Sequence, residues 1–117
     1  MENEKVFARS VAKVYPLLVA KAERKGRTRD EVDEITCWMT GYSREQLKEI
    51  ISSGVSYRKV CDDAPQMNPN CSLIKGVICG IRVENIEDPL MQKIRWLDKL
   101  VDELAKGKSM DKVLRKG

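Results

Sequence analysis

The chain has 117 residues, of which 42% are hydrophobic and 34% are charged. This composition is typical of a folded domain and excludes a disordered chain, and the length allows one core without disulfide staples. No apolar run approaches the roughly 18 residues that a membrane-spanning helix needs. The start, MENEKVFARS, lacks the apolar stretch of a secretory signal. We therefore expect a single cytoplasmic domain over residues 1–117, with no membrane partner.

The absence of histidine limits the chemistry available to the chain. Histidine activates the nucleophile in Ser-His and Cys-His enzymes and is the commonest metal ligand. The four cysteines, Cys37, Cys61, Cys71 and Cys79, form no C-x-x-C motif, so a zinc site would need all four thiolates at unusual spacing. We expect free thiols, no metal and no cofactor, and we favour a binding protein over an enzyme.

The net charge of +4 is unevenly distributed along the chain. Residues 1–29 contain eight Lys and Arg against three Glu, and residues 106–117 contain five Lys and Arg against one Asp. The two ends therefore carry +5 and +4, and the middle carries −5. Basic ends are compatible with an anionic partner, but they are equally typical of solvated helix ends, which is the interpretation we favour.

Apolar spacing and capping residues predict four helices in the first half of the chain. Each begins at a Ser or Thr, and a glycine or proline ends it. Thr28 and Glu31 match a capping box, whereas Pro16 should kink the first helix or delay its start by a turn. The predicted helices span residues 10–25, 28–41, 43–54 and 56–64, and a loop follows at 65–70.

Residues 72–87 fit two patterns. Their apolar residues have helical spacing, but Val77, Cys79, Ile81 and Val83 also alternate as in a strand. Glycines weaken both interpretations. We predict a helix to about Gly80 and then an extended segment.

The helix at 89–106 has the clearest signals. Asp88 is a good N-cap, and Pro89 occupies the first turn, where proline is tolerated. An apolar stripe follows, formed by Leu90, Ile94, Leu97, Val101 and Leu104. Trp96 and Met91 lie off this stripe, so each meets either a second layer of the same domain or a partner. We take both as candidate interface residues and expect a homodimer.

These elements predict an all-α domain, or a mainly α domain with at most a short extended segment near 81–87. The fold is expected to be a compact bundle of about five to seven helices. Residues 1–9 form an N-terminal arm, and 107–117 form a basic segment with a last short helix at 110–115.

Residues 34–51 have the pattern of a helix-turn-helix around Gly41. The second helix would offer Arg44 and Lys48 to a groove, and the basic run that includes Arg24, Lys25 and Arg27 could contact phosphates. The mixed charge of the corner counts against this, because phosphate binding requires a basic surface. A structural helix corner is therefore favoured, and nucleic-acid binding is the alternative.

A second alternative is a small-ligand site or a histidine-free enzyme. Trp38 and Tyr42 could line a pocket, and Cys79 or Tyr42 beside Arg82 could supply reactive groups. Neighbouring carboxylates elsewhere are typical of helix caps and solvated faces, and no catalytic residue is assigned.

Several long strings give the chain a family resemblance. It resembles the uncharacterised bacterial family known as domain of unknown function 2200 in VYPLLVAKAE (14–23), CWMTGYS (37–43), SLIKGVICGIRV (72–83), IEDPLM (86–91) and LDKLVDELAKG (97–107). The resemblance implies a small bacterial protein with no assigned activity or catalytic residues. We therefore expect an interaction module of unknown function.

Overall fold

The structure is a computed structural model, and it describes residues 10–78 and 80–114. Within those residues it contains six α-helices, two short 3₁₀ helices and one antiparallel hairpin. The α-helices are α1 (Val11–Glu23), α2 (Arg29–Thr40), α3 (Arg44–Ser53), α4 (Tyr57–Asp62), α5 (Pro89–Ala105) and α6 (Met110–Val113). The hairpin strands are β1 (Val77–Ile78) and β2 (Ile81–Arg82), and the 3₁₀ helices are Pro69–Leu73 and Val83–Asn85. The prediction of a mainly α fold with a short extended segment is confirmed.

The residues predicted to cap the helix N-termini form the expected hydrogen bonds. Thr28 and Ser43 each accept from the backbone N–H three residues on, and the Glu or Gln at that position accepts from the cap's own N–H. Asp88 accepts from the N–H groups of Leu90 and Met91. These side chains satisfy donors that a helix N-terminus leaves unpaired. Helix α1 begins at Val11 and continues through Pro16, so its start is not delayed.

Helix α5 is the centre of the fold. It packs against α1, α2, α4, α6, β1 and the second 3₁₀ helix. Leu100, Val101 and Leu104 are completely buried in its last turns, and each such side chain contributes about 1.5–3 kcal/mol when it leaves water. The core is therefore built around the C-terminal half of α5. In the described part of the chain, no helix combines the length and apolar character that crossing a membrane requires.

The prediction of a helix up to Gly80 is wrong. The chain forms the 3₁₀ helix Pro69–Leu73 and then the hairpin, in which Val77 pairs with Arg82 and Ile78 with Ile81. Gly76 and Gly80 have φ angles of 116° and 79°, a region that a right-handed helix excludes. The extended segment thus begins before the predicted 81–87, and Cys79 at its turn lies outside the described residues.

The elements packed around α5 also explain why Met91 and Trp96 lie off its apolar stripe. Met91 is 8% exposed and packs in the core, because α5 is covered on more sides than one stripe would allow. Trp96 is partly buried against the core. It shares a helix side with Gln92 and Lys99, which donate to the Val83 and Val77 carbonyls. The Trp96 side of α5 therefore faces the hairpin region, Met91 belongs to the core, and the role of both residues in a dimer stays a prediction.

Gly41 and Gly54 offer a matched test of the helix ends. Both end a helix with a left-handed φ, 84° and 76°. A Cβ on Gly41 would lie 2.8 Å from the Gln66 carbonyl oxygen, whereas one on Gly54 would meet nothing within 4 Å. Gly54→Ala should cost about 1–2 kcal/mol from the backbone alone. Gly41→Ala should cost at least about 1 kcal/mol more, because the 66–68 loop must move. Urea denaturation of both variants measures the difference, and equal losses would contradict the close packing of this loop.

Candidate anion-binding surface

Two basic segments that are distant in sequence meet at one end of the molecule. Lys21, in the last turn of α1, and Lys106, just after α5, both bind the carboxylate of Asp102. The Lys21 Nζ lies 2.9 Å from Asp102 Oδ1, and the Lys106 Nζ lies 3.0 Å from Oδ2. The buried carboxylate of Asp102 therefore joins the basic C-terminal turn of α1 to the basic residues that follow α5.

A second set of contacts joins the same two segments. Arg27 donates from Nη1 to the Lys108 carbonyl at 3.1 Å, and its Nη2 lies 2.6 Å from Glu31 Oε2. The Lys108 ammonium lies 3.5 Å from Glu103 Oε2. We call the resulting surface the basic end; it comprises Lys21, Arg24, Lys25, Arg27, Lys106, Lys108 and Lys112.

The acidic groups of this region lie beneath the cations. The Asp102 side chain is 12% exposed and that of Glu103 is 8% exposed, whereas the Lys106 side chain is 72% exposed. Long lysine side chains can pack their methylene groups on the protein while their ammonium groups stay in water. The charge that the basic end exposes to solvent is therefore mainly positive, although two exposed carboxylates, Glu23 and Asp111, lie in the same segments.

The charge state of Asp102 follows from its partners. Burial raises the pKa of this carboxyl, but the hydrogen bonds from Lys21 and Lys106, with the attraction of their charges, outweigh burial and hold the pKa below its usual range. Asp98, one turn earlier, differs, because burial dominates and raises its pKa despite the hydrogen bond from Arg95. Asp102 is therefore a carboxylate at neutral pH, and the two lysines favour this charged form.

Two grooves lie at the basic end. One, of about 580 Å³, is lined by Lys21, Arg24 and Lys25. The other, of about 600 Å³, is lined by Lys99, Glu103 and residues 106–109 together with Lys112. Lysine recognises phosphate as a point charge. Both grooves present ammonium groups on their walls, and the basic-end residues include no aromatic ring for stacking on bases.

The helix-turn-helix candidates are placed differently. Arg44 Nη1 lies 2.8 Å from Asp30 Oδ1 and 4.0 Å from Asp33 Oδ2, so its charge is compensated across the α2–α3 corner. Lys48 is exposed beside a groove of about 530 Å³ that also contains Arg29 and both aspartates. The corner is therefore mixed in sign, as the sequence indicates. Arg24 and Lys25, by contrast, belong to the basic end.

The pocket candidates do not share one site among the described residues. The Tyr42 hydroxyl donates to the Val60 carbonyl at 2.8 Å, whereas Arg82 Nε lies 3.3 Å from Glu84 Oε2 on the hairpin. Tyr42 lines a core cavity of about 20 Å³, which has room for about one water molecule. Trp38 packs on the core and does not line this cavity, and Cys79 lies outside the described residues.

Cys37 and Cys61 lack the environment of a reactive thiol. Burial raises the pKa of Cys61 to about 11, and burial also raises the pKa of Cys37. A nucleophilic cysteine needs a lowered pKa, because the thiolate is the reacting form. Over residues 10–78 and 80–114, the structure contains no group of three or more Cys, Asp or Glu side chains that could hold a metal ion.

The sequence does not predict the central contact of the basic end. In the sequence, Lys21 belongs to the basic run at 21–29, and the lysines after residue 105 count only as part of a basic C-terminal segment. Asp102 has no assigned role. One local signal is present, since Lys106 follows Asp102 by four residues and this spacing favours an ion pair on a helix. The contact with Lys21 depends on how α1 packs against α5.

The fold and surface define a small, mainly helical domain with a basic end. The chain belongs to the family described as an uncharacterized protein conserved in bacteria, domain of unknown function 2200, whose model matches residues 5–115. It is similar to the crystal structure of the uncharacterized protein SP1917, with 45% identity and a TM-score of 0.91 over 97% of this chain and 93% of that one. No curated protein matches the chain. These comparisons show the family and the fold, and neither description names an activity.

Asp102→Asn should destabilise the domain by about 1 kcal/mol at neutral pH, because it removes the anion that Lys21 and Lys106 bind. The folded pKa of Asp102 lies below its ordinary value of 3.8. Its contribution is therefore present above pH 3.8 and is lost as the pH falls through the lower folded value. Urea denaturation at neutral pH and at successive values below pH 4 should show the difference from wild type narrowing. An unchanged difference would contradict a charge-based contribution.

Proposed function

We propose that the chain is a binding module whose basic end binds the phosphate backbone of duplex nucleic acid without reading the base sequence. The observation that carries this proposal is the contact of Lys21 and Lys106 with Asp102, which unites two basic segments in one surface. The acids beneath this surface compensate part of its charge, and the exposed ammonium groups supply the contacts.

The chemistry of the basic end favours backbone contact. Phosphate neutralisation by Lys and Arg releases counterions, so it gives affinity that depends strongly on salt and little on sequence. Binding of unpaired bases usually adds aromatic platforms, and the basic-end residues provide none. Duplex nucleic acid is therefore a better match than a single strand.

We expect Lys106→Gln/Lys108→Gln/Lys112→Gln to weaken binding of a labelled duplex by at least about tenfold at about 50 mM salt, and to reduce the salt slope by up to about three. Fluorescence anisotropy across a salt series measures both quantities. The control is Arg44→Gln/Lys48→Gln, which removes two cations from the α2–α3 corner and should change affinity by less than about twofold, because neither residue belongs to the basic end.

Three outcomes oppose this proposal. No salt-dependent binding by wild type rejects nucleic-acid binding. Loss of binding in the corner variant alone assigns the interface to the helix-turn-helix corner. Binding to vesicles of anionic lipid but not to the duplex identifies a membrane surface as the partner.

Self-association is a second candidate, and a separate surface favours it. Leu73, Val77 and Ile81 lie within nine residues and are each 50% exposed. Clustered exposed apolar side chains are typical of protein contacts. Exposed charges of both signs flank them, including Lys75 and Glu87, which suits a symmetric contact between two copies of one surface.

If this apolar surface joins two copies, light scattering at micromolar concentration should give about twice the chain mass of 13.4 kDa. Val77→Asp/Ile81→Asp should then return the mass to 13.4 kDa, because a buried unpaired carboxylate opposes association. Leu17→Asp is the control, since Leu17 is also an exposed apolar residue but lies on α1. A wild-type mass of 13.4 kDa would reject the dimer.

A cytoplasmic location belongs to the same proposal. The thiols of Cys37 and Cys61 are free, which is compatible with a reducing compartment. Bacterial nucleic acid occupies that compartment, and cell fractionation tests the location directly.

A further inference from the structure

We infer that Asp102 is an internal competitor of the polyanion, and that it limits the affinity of the basic end by binding Lys21 and Lys106. This inference rests on the proposed function and adds a residue that tunes it. The competitor is a part of the chain itself, so the basic end is attenuated in every molecule.

The geometry places the carboxylate against both cations at once. Each Asp102 oxygen has its own lysine, at 2.9 and 3.0 Å. These are distances of charge-assisted hydrogen bonds. A phosphate that binds Lys21 or Lys106 must share that lysine with the Asp102 carboxylate or displace the carboxylate from the lysine. The Lys106 side chain is 72% exposed, so an incoming phosphate can reach it.

The balance of charge gives the size of the effect. Two ammonium groups and one carboxylate leave a net charge of +1, so the carboxylate offsets half of the positive charge of this contact. Asp102→Asn restores +2 and leaves the lysines in place. Each additional phosphate contact raises the salt slope by about 0.9, which corresponds to several-fold in affinity near 100 mM salt.

The position of Asp102 in α5 indicates that its carboxylate does not stabilise the helix itself. Asp102 and Glu103 lie in the last turn of α5, where the helix dipole disfavours negative charge. The carboxylate therefore gains its stability from the lysines it binds. Glu103 repeats the arrangement more weakly, with Lys108 at 3.5 Å.

The test compares variants that differ only in where one negative charge is removed. Asp102→Asn should bind a labelled duplex about three- to tenfold more tightly than wild type near 100 mM salt, with a salt slope larger by about one. Asp111→Asn is the matched control. It removes the same charge from an exposed position in α6, at the same end of the chain, and its affinity should change by less than about twofold.

The outcomes separate this inference from the proposed function. Weaker binding by Asp102→Asn means that the carboxylate positions the lysines, and this overturns the inference. An equal gain in Asp111→Asn shows a general effect of net charge and also overturns it. Binding by wild type without a gain in Asp102→Asn overturns the inference alone, whereas no binding by either overturns the proposed function as well.

A second variant keeps the test valid if Asp102→Asn folds poorly. Glu103→Gln should release Lys108 and increase affinity by a smaller factor, about twofold, because its contact is longer. Thermal melting of each variant shows whether the folded protein is being measured. A folded Glu103→Gln variant with unchanged or weaker binding, together with an unfolded Asp102→Asn, would overturn the inference.

Discussion

The burial of the last two turns of α5 is the constraint on which the rest of the structure depends. Leu100, Val101 and Leu104 are completely buried there, and the neighbouring elements close around the helix on several sides. Asp102 and Glu103 are drawn into the same enclosed region. A carboxylate at such a position needs a partner cation, because an unpaired buried charge costs far more than a buried polar group. The packing of α5 therefore determines which lysines must come together.

The lysines arrive from both directions along the chain. Lys21 comes from α1, which packs along α5, and Lys106 and Lys108 come from the turn that follows α5. Their ammonium groups reach the carboxylates of Asp102 and Glu103, while their side chains stay exposed, from 38% for Lys21 to 72% for Lys106. A requirement of the core thus produces a positively charged surface. This origin also explains why the surface and its attenuating carboxylate occur together.

The local elements were predictable where one residue type satisfies one backbone requirement. The capping pairs at Thr28 and Ser43 and the Asp88 cap follow from the donors at a helix start. The structure of residues 72–87 could not be predicted in this way, because the apolar residues of this segment fit both a helical and a strand period. The sign of φ at Gly76 and Gly80 decides between the two. Glycine permits that conformation without requiring it. A helical wheel likewise places Met91 correctly but cannot show that α5 is covered there.

The candidate site could be predicted only in part, for a related reason. Sequence shows the sign of a charge but not whether the fold compensates it. Arg44 and Lys106 are both exposed cations, yet the Asp30 side chain that Arg44 binds is 82% exposed, whereas the Asp102 side chain that Lys106 shares with Lys21 is 12% exposed. The α2–α3 corner therefore presents cations and an exposed carboxylate together, whereas at the basic end the shared carboxylate lies beneath its lysines. That difference in the exposure of the acids depends on helix packing, and it is the physical reason for preferring the basic end over the helix-turn-helix corner as the proposed anion-binding surface.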